Sequence, residues 1–406
     1  MRLSARCVSA ALVLLVPLAA AHGAAADEPS GRAAPAPLHR AAEALPGRYI
    51  VTLDKGVHPA ATAAEVRGVE PLHTYRTALN GFYARLDATQ LARVRALPGV
   101  TAVEEDGVVS APRSVSAATR STTEAASSWG LDRIDQRDWD KSTGTGDGQF
   151  TVKGDGAGVT AYMVGTGIDF GHDEFEGRAT AGTDTVGDGR NGADCNGEGT
   201  HGAGTVAGRT YGVARKANLV SVRVLNCTGA GTVEGVIAGL DWIAANAKKP
   251  AAANISVNAG KSEALNTAAT ALSDAGITPA ISAFSDMPNA CTQSPASAER
   301  VITVATSSRY DEADTVAGGY TGLCVSIFAP GAEITSAKLG GGSTVMTGAA
   351  MSAPHVTGTI ALYLAAHPDA TIADINEWLE EEATMDALTG IGGSATTNRL
   401  LYTGGL

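Results

Sequence analysis

Basic charge, aromatic side chains and cysteine are all scarce in this chain, and each scarcity removes a class of protein. Lys and Arg number 30 against 42 Asp and Glu, a formal charge of −12 over 406 residues. No basic face is left to neutralise phosphates, so nucleic acid is excluded as a partner. Aromatics are only 5% of residues while Gly occurs 49 times, which suits a sheet protein with many tight turns rather than a helical bundle. The five cysteines include no CxxC pair or neighbouring His with zinc-ligand spacing. No stretch reaches the roughly 20 apolar residues of a membrane span. The apolar fraction of 44% is ample for a sizeable core.

What is present begins with an export signal. Arg2 and Arg6 precede an apolar run from Val8 to Ala20, and small residues lead to Ala24-Ala25-Ala26 before Asp27. Cleavage is expected after Ala26, leaving a soluble, monomeric, extracellular protein with no membrane contact. With Cys7 in the signal, Cys195, Cys227, Cys291 and Cys324 remain, an even number in an oxidising compartment. Two disulfides are expected. Four cysteines allow three pairings, of which the sequential one is the simplest because each loop then closes locally.

Residues 27–45, rich in Ala, Pro, Arg and Glu, read as a flexible lead-in. A small α+β unit follows over 46–109: Gly47 to Asp54 as a strand, Tyr75 to Asp87 as a hairpin-like pair turning at Asn80-Gly81, Ala88 to Gly99 as an amphipathic helix and Val100 to Val109 as a strand. Residues 110–128 lack apolar periodicity and read as a linker. From Trp129 onward, apolar strands (Val159 to Gly165, Ala217 to Leu225, Ala251 to Val257, Thr278 to Phe284, Arg300 to Thr306) alternate with helices, notably Val233 to Ala247 and Leu265 to Gly276. That alternation predicts a three-layer α/β domain over 129–406, its parallel sheet covered on both faces. Sites in such sheets form at the carboxyl ends of strands. The loops at Gly165 to Gly167, Gly197 to Gly204, Ser256 to Gly260, Phe284 to Asn289 and Gly348 to His355 are therefore the candidates.

Those loops carry a resemblance. Trp129 to Asp135 (WGLDRID), Gly165 to Phe175 (GTGIDFGHDEF), Gly199 to Gly208 (GTHGAGTVAG), Ser294 to Ser297 (SPAS), Ile327 to Gly331 (IFAPG) and Met351 to Gly358 (MSAPHVTG) stand in the order found in subtilisin-like serine proteases. The chain resembles that family, most closely its proteinase K-like branch. The resemblance implies a subtilisin-like fold, an inhibitory propeptide at 46–109, and pairing of Cys195 with Cys227 and Cys291 with Cys324. It also implies a peptide groove whose edges are Gly229-Ala230-Gly231 and Ser256-Val257-Asn258.

The departures from the family are as specific as the matches. Gly165 stands where the resemblance places the triad Asp, Glu198 where it places the His, and Ala350 where it places the Ser; the oxyanion-hole Asn falls on Ser285. A hydroxyl nucleophile needs a base, and the base an orienting carboxylate. Ala350 has no nucleophilic atom. Ser352, two positions on, points about 200° away around the helix axis, Ser343 reads as a surface serine, and His201 and His355 match positions that are ordinarily structural. Phe284 replaces a Gly and narrows the pocket. Ser326 takes the place of an Asp that commonly binds calcium, so that site lacks its main anchor, and no cofactor is expected. Asp184 to Asp194 reads as solvated acidic surface.

The expectation is a secreted pseudoprotease that binds a peptide or protein. A chain unable to cut itself keeps its 110–128 linker unless another protease acts, with Arg113 and Arg120 as the exposed basic positions. A second reading makes Glu198 a general acid/base for isomerisation, elimination or cyclisation of a peptide-like substrate, since partial burial raises a Glu pKa toward neutrality. The plain alternative for Glu198 is a carboxylate stabilised by a helix N-terminus and doing no chemistry.

Overall fold

The computed structural model describes residues 34–112, 114–117, 128–283, 289–313, 321–391 and 396–406. The expected signal, Arg113, Arg120, Phe284 and Ser285 therefore lie outside the described residues.

Runs rich in Ala, Ile and Val can be buried on both faces only in a sheet with helices above and below. Such a sheet forms. Its order is Thr384–Met385, Arg399–Leu400, Ile327–Pro330, Ile302–Ser307, Thr278–Ser282, Ala251–Ile255, Thr160–Gly165, Asn218–Arg223, Ala179–Asp184. Every neighbouring pair is parallel except the first. One layer of core gathers around the Glu198–Ala207 and Ala349–Ala366 helices, the other around Val233–Asn246 and Glu263–Asp274. Strands and helices start and stop within one or two residues of the expected positions for most elements, because the apolar runs end where polar caps begin. Thr232 and Ser262, for example, accept the Gly235 and Leu265 N–H groups as N-caps.

The small unit differs more from expectation. The strand at its centre, Val100–Ser110, pairs with Ala44–Leu53, which pairs with Gly81–Arg85 and then Pro71–Tyr75. The turn spans 76–80 rather than closing at Asn80-Gly81. The Ala88–Val94 helix, held by a capping box of Asp87 and Gln90, ends before Pro98 rather than running to Gly99. A helix at Pro59–Ala64 was not expected. The lead-in is also more ordered than its composition suggests: Leu38–His39 pairs in parallel with Val103 and Glu104, and Ala36 is buried. An open strand edge supplies the hydrogen-bonding partner that composition does not reveal.

The linker is likewise threaded into structure. Val108 to Ser110 lies between two strands of the large domain, Ala230–Thr232 on one side and Asn258–Ala259 on the other, both antiparallel. Ala111 N–H continues to Gly229 C=O at 2.7 Å. Val115–Ala117 then pairs with Ser343–Thr347, itself paired with Ile334–Ala337.

Disulfides join Cys195 to Cys227 and Cys291 to Cys324. The Trp129–Ile134 helix is bolted down by a bidentate pair, Arg133 Nε to Asp311 Oδ1 at 2.8 Å and Nη2 to Oδ2 at 3.1 Å, with both side chains 1% exposed. Removing one partner strands a buried charge. Asp311→Asn is expected to destabilise the chain by about 3 kcal/mol, read as a lower urea midpoint at unchanged slope; an unchanged midpoint would show that water reaches Arg133.

Candidate functional site

The three positions where the resemblance places the triad each lie at the end of an element. Gly165 is the last residue of the Thr160–Gly165 strand, Glu198 the first of the Glu198–Ala207 helix and Ala350 the second of the Ala349–Ala366 helix. The two helices pack together, with a Cβ built at Gly202 falling 3.5 Å from Pro354 Cγ.

The start of the Glu198 helix is set by Asp194, whose carboxylate accepts the Asn196 and Gly197 N–H groups, the Thr200 N–H and hydroxyl, and the Thr166 hydroxyl. Thr166 in turn accepts the Gly199 N–H at 2.9 Å. A rigid, fully bonded frame thus fixes where the Glu198 side chain begins.

That side chain turns inward. Glu198 is 2% exposed. Its Oε2 lies 3.5 Å from the point where a Cβ on Gly165 would sit, with the Ser256 Cβ 4.0 Å from the same point. The carboxyl thus lies at ordinary contact distance from where a side chain at 165 would begin. A cavity of about 10 Å³, the size of one water, borders it, lined also by Gly165, Asn254 and Ser256. Oε2 makes no hydrogen bond among the described residues. Burial, reinforced by the charge of Asp194 and opposed by the Ser256 hydroxyl, pushes the acid up to about 8. At neutral pH it carries its proton. Behind it, Asn254 Nδ2 donates to Ser256 Oγ at 3.0 Å and Thr357 Oγ1 to Asn254 Oδ1 at 3.3 Å.

Ala350 presents a methyl group, fully buried with Trp129, Ile334 and Met351. No other candidate reaches that place. Ser352 is buried and donates to Thr306 Oγ1 at 3.1 Å, and Ser343 is exposed on the hairpin. His201 and His355 are fully buried, with Nε2 of the first on Ile334 C=O and Nδ1 of the second on Met351 C=O, both at 2.9 Å. Burial lowers each to about 4, so both imidazoles are neutral.

The expected groove edges flank a single strand. Ala230 and Asn258 both register with Ser110, and Gly231 and Ala259 with Val109. Gly231 is required there, because a Cβ would lie 2.5 Å from Val224 C=O. Ser256 and Val257 are buried beneath the edge rather than lining its surface. Ser326 serves the sheet, its Oγ accepting Thr303 N–H at 3.2 Å.

The family model for subtilases matches residues 77–400. The chain belongs to the subtilase family. It is 39% identical over 420 residues to the extracellular serine proteinase of a Thermus species, spanning 97% of this chain and 98% of that one. It is 36% identical to subtilisin-like protease 4 of Arthroderma benhamiae, spanning 98% and 99%. With alkaline serine exoprotease A of Vibrio alginolyticus it shares 35% over 324 residues, 80% of this chain but only 58% of that relative. A solved cold-adapted subtilisin-like serine proteinase superposes with a TM-score of 0.64 at 40% identity, covering 68% of this chain and 97% of that one. These likenesses establish the subtilase fold for the large domain.

Sequence reasoning missed that this subtilase's own chain pairs with both expected groove edges, and that Glu104 and Asp106 anchor it. Glu104 accepts Ala264 N–H at 3.2 Å and Asp106 accepts Glu234 N–H at 3.1 Å, each at the start of a large-domain helix. Two acids alternating on the strand that leads to the groove, within Glu104-Glu105-Asp106, were the available signal.

Because the folded acid titrates near 8 and an unfolded Glu near 4.5, protonated Glu198 contributes stability that is complete below about pH 4.5 and lost as pH rises toward 8. In Glu198→Gln that loss disappears. Denaturant titrations at pH 5 and pH 9 should differ by at least about 1 kcal/mol less in the variant than in the parent. Equal differences would mean that Glu198 is solvated and charged.

Proposed function

We propose that this subtilase is a secreted pseudoprotease that keeps its propeptide-like unit and works by binding a peptide or protein, as a decoy, regulator or scaffold. The observation that carries the reading is the buried Ala350 methyl at the helix N-terminus where the family resemblance places the nucleophile. In comparable proteases, losing the nucleophile alone costs on the order of 10⁶ in turnover. Glu198 adds to the argument: folded against Gly165 and away from solvent, it has no alignment with a group it could deprotonate. For the same reason acid/base chemistry on a free substrate is the weaker reading.

Secretion is supported by the Arg2 to Ala26 signal pattern and by the names of the Thermus and Vibrio relatives, an extracellular proteinase and an exoprotease. No helix of the described residues is long and apolar enough to cross a membrane. Peptide binding is supported by the two groove edges, which add a third strand by main-chain pairing in a way open to many sequences. That Ser110 already lies between them means a ligand competes with the chain's own segment. The covalent tether gives that segment a high effective concentration.

The test is chemical. Purified protein incubated with a broad peptide mixture should yield no fragment carrying an added water, by mass spectrometry. The variant combining Gly165→Asp, Glu198→His, Ala350→Ser and Ser285→Asn should yield them, because a Cβ at 165 meets only the displaced Glu198 carboxyl and an ordinary 4.0 Å contact with Ser256. Water-added fragments from the parent, absent from a mock purification, would overturn the reading.

A further inference from the structure

Residues 36–43 run beside the strand that enters the groove and then cross over it. Leu38–His39 pairs in parallel with Val103 and Glu104 on one side of the Val100–Ser110 strand, while Ala44–Leu53 pairs antiparallel on its other side. The chain between them, residues 40–43, therefore passes from one side of that strand to the other. Ala36 N–H donates to Arg95 C=O, and Arg95 Nε returns a bond to Ala36 C=O, both at 2.7 Å. Val103 N–H donates to Pro37 C=O and Val108 N–H to Glu43 C=O, each at 3.0 Å. Arg40 pairs with Glu105, and Leu38 packs against the core of the small unit. The crossing lies over Gly107. A Cβ there would be 3.1 Å from the Ala41 Cβ and 3.6 Å from both the Glu43 carbonyl oxygen and Val233 Cγ2 of the large domain. Gly107 is thus held between the crossing and the large domain, with little room for a side chain. Ala42 in turn lies against the large domain, its Cβ 3.2 Å from where a Cβ on Gly260 would sit.

We propose that residues 36–43 are a strap that holds the groove strand in place, so that the groove opens to an outside ligand when the strap lifts rather than when the small unit unfolds. The last strap bond, at Val108, is immediately followed by the residues that pair with both groove edges. Grip and groove pairing therefore act on neighbouring residues of one strand. With its backbone fixed at Val103 and Val108, the segment reaches the groove already ordered, and little chain entropy opposes its pairing there. Once the strap lifts, that ordering must be supplied anew each time the segment docks. The strap is the part of this assembly built to move. Its turn is exposed at Ala42, Glu43 and Ala44, and a cavity of about 280 Å³ separates residues 41–43 from residues 258–262 of the large domain. The small unit itself is centred on Val51, Phe82, Ala84 and Val103, all fully buried. Segments with few buried contacts open locally at much lower free energy than a packed core. This inference concerns how the groove opens and does not depend on whether the chain cleaves peptides or which ligand it takes.

The experiment is amide hydrogen exchange on the intact chain, comparing the parent with Leu38→Asp and Arg95→Ala. The Gly81–Arg85 strand serves as reference for the small unit and Ala251–Ile255 for the large domain. Leu38→Asp puts a charge where the strap packs. Arg95→Ala removes only the Nε bond to Ala36 and guards against the case in which the first variant unfolds the small unit. The readout is the amides of residues 109–111, which face the groove edges rather than the strap; Ala111, for example, donates to Gly229 C=O. Their protection should fall about tenfold or more in Leu38→Asp and about threefold in Arg95→Ala, with both reference strands unchanged. Unchanged protection at residues 109–111 in both variants would overturn the proposal. So would a loss in Arg95→Ala that is equally large at Gly81–Arg85, because the groove would then open only by unfolding of the small unit.

Discussion

Everything distinctive about this molecule depends on the antiparallel pairing of Val108 to Ser110 with two strands of the large domain at once. Main-chain bonds of that kind are satisfied only when both edges have a partner, and an unpaired edge strand is an exposed liability. The chain supplies the partner itself. Glu104 and Asp106, four and two residues before Val108, place their carboxylates on the first turns of two large-domain helices, where backbone N–H groups are unsatisfied and the helix dipole favours negative charge. Pairing and capping fix each other, because a strand that slipped by one residue would take both acids off their helices and turn them to the opposite face.

At the centre of the site a different logic holds. Asp194 uses its whole hydrogen-bonding capacity on backbone and threonine groups of one loop and helix start, so it has none left for a catalytic partner. Glu198, the first helical residue after the Asn196-Gly197 turn, is left with a neutral carboxyl in the small space beside Gly165. Its Oε2 stays without a hydrogen-bond partner among the described residues, a buried polar atom that costs stability.

Much of this was legible in the sequence. The apolar strands and their alternation with helices pointed to the sheet because burial on both faces leaves no polar positions to confuse the pattern, and the disulfide pairing followed once the family resemblance was in view. The small unit was harder to read. Its lead-in lacks periodicity, and Leu38–His39 becomes a strand only because Val103 and Glu104 offer an open edge. The Val115–Ala117 strand is invisible for the same reason, since its partner at Ser343–Thr347 lies far away in sequence. The full burial of Glu198 was also beyond sequence reasoning, because it arises beside Gly165 and Ser256, which lie far away in sequence.

The most direct test of the central claim is the intact mass of the full-length chain made in a purified translation system free of other proteases and held for days at neutral pH. The account predicts one undivided mass, because Ala350 offers no nucleophile. Two complementary masses, with a break between Ser110 and Val115, would show that the chain cuts its own linker and would contradict the account.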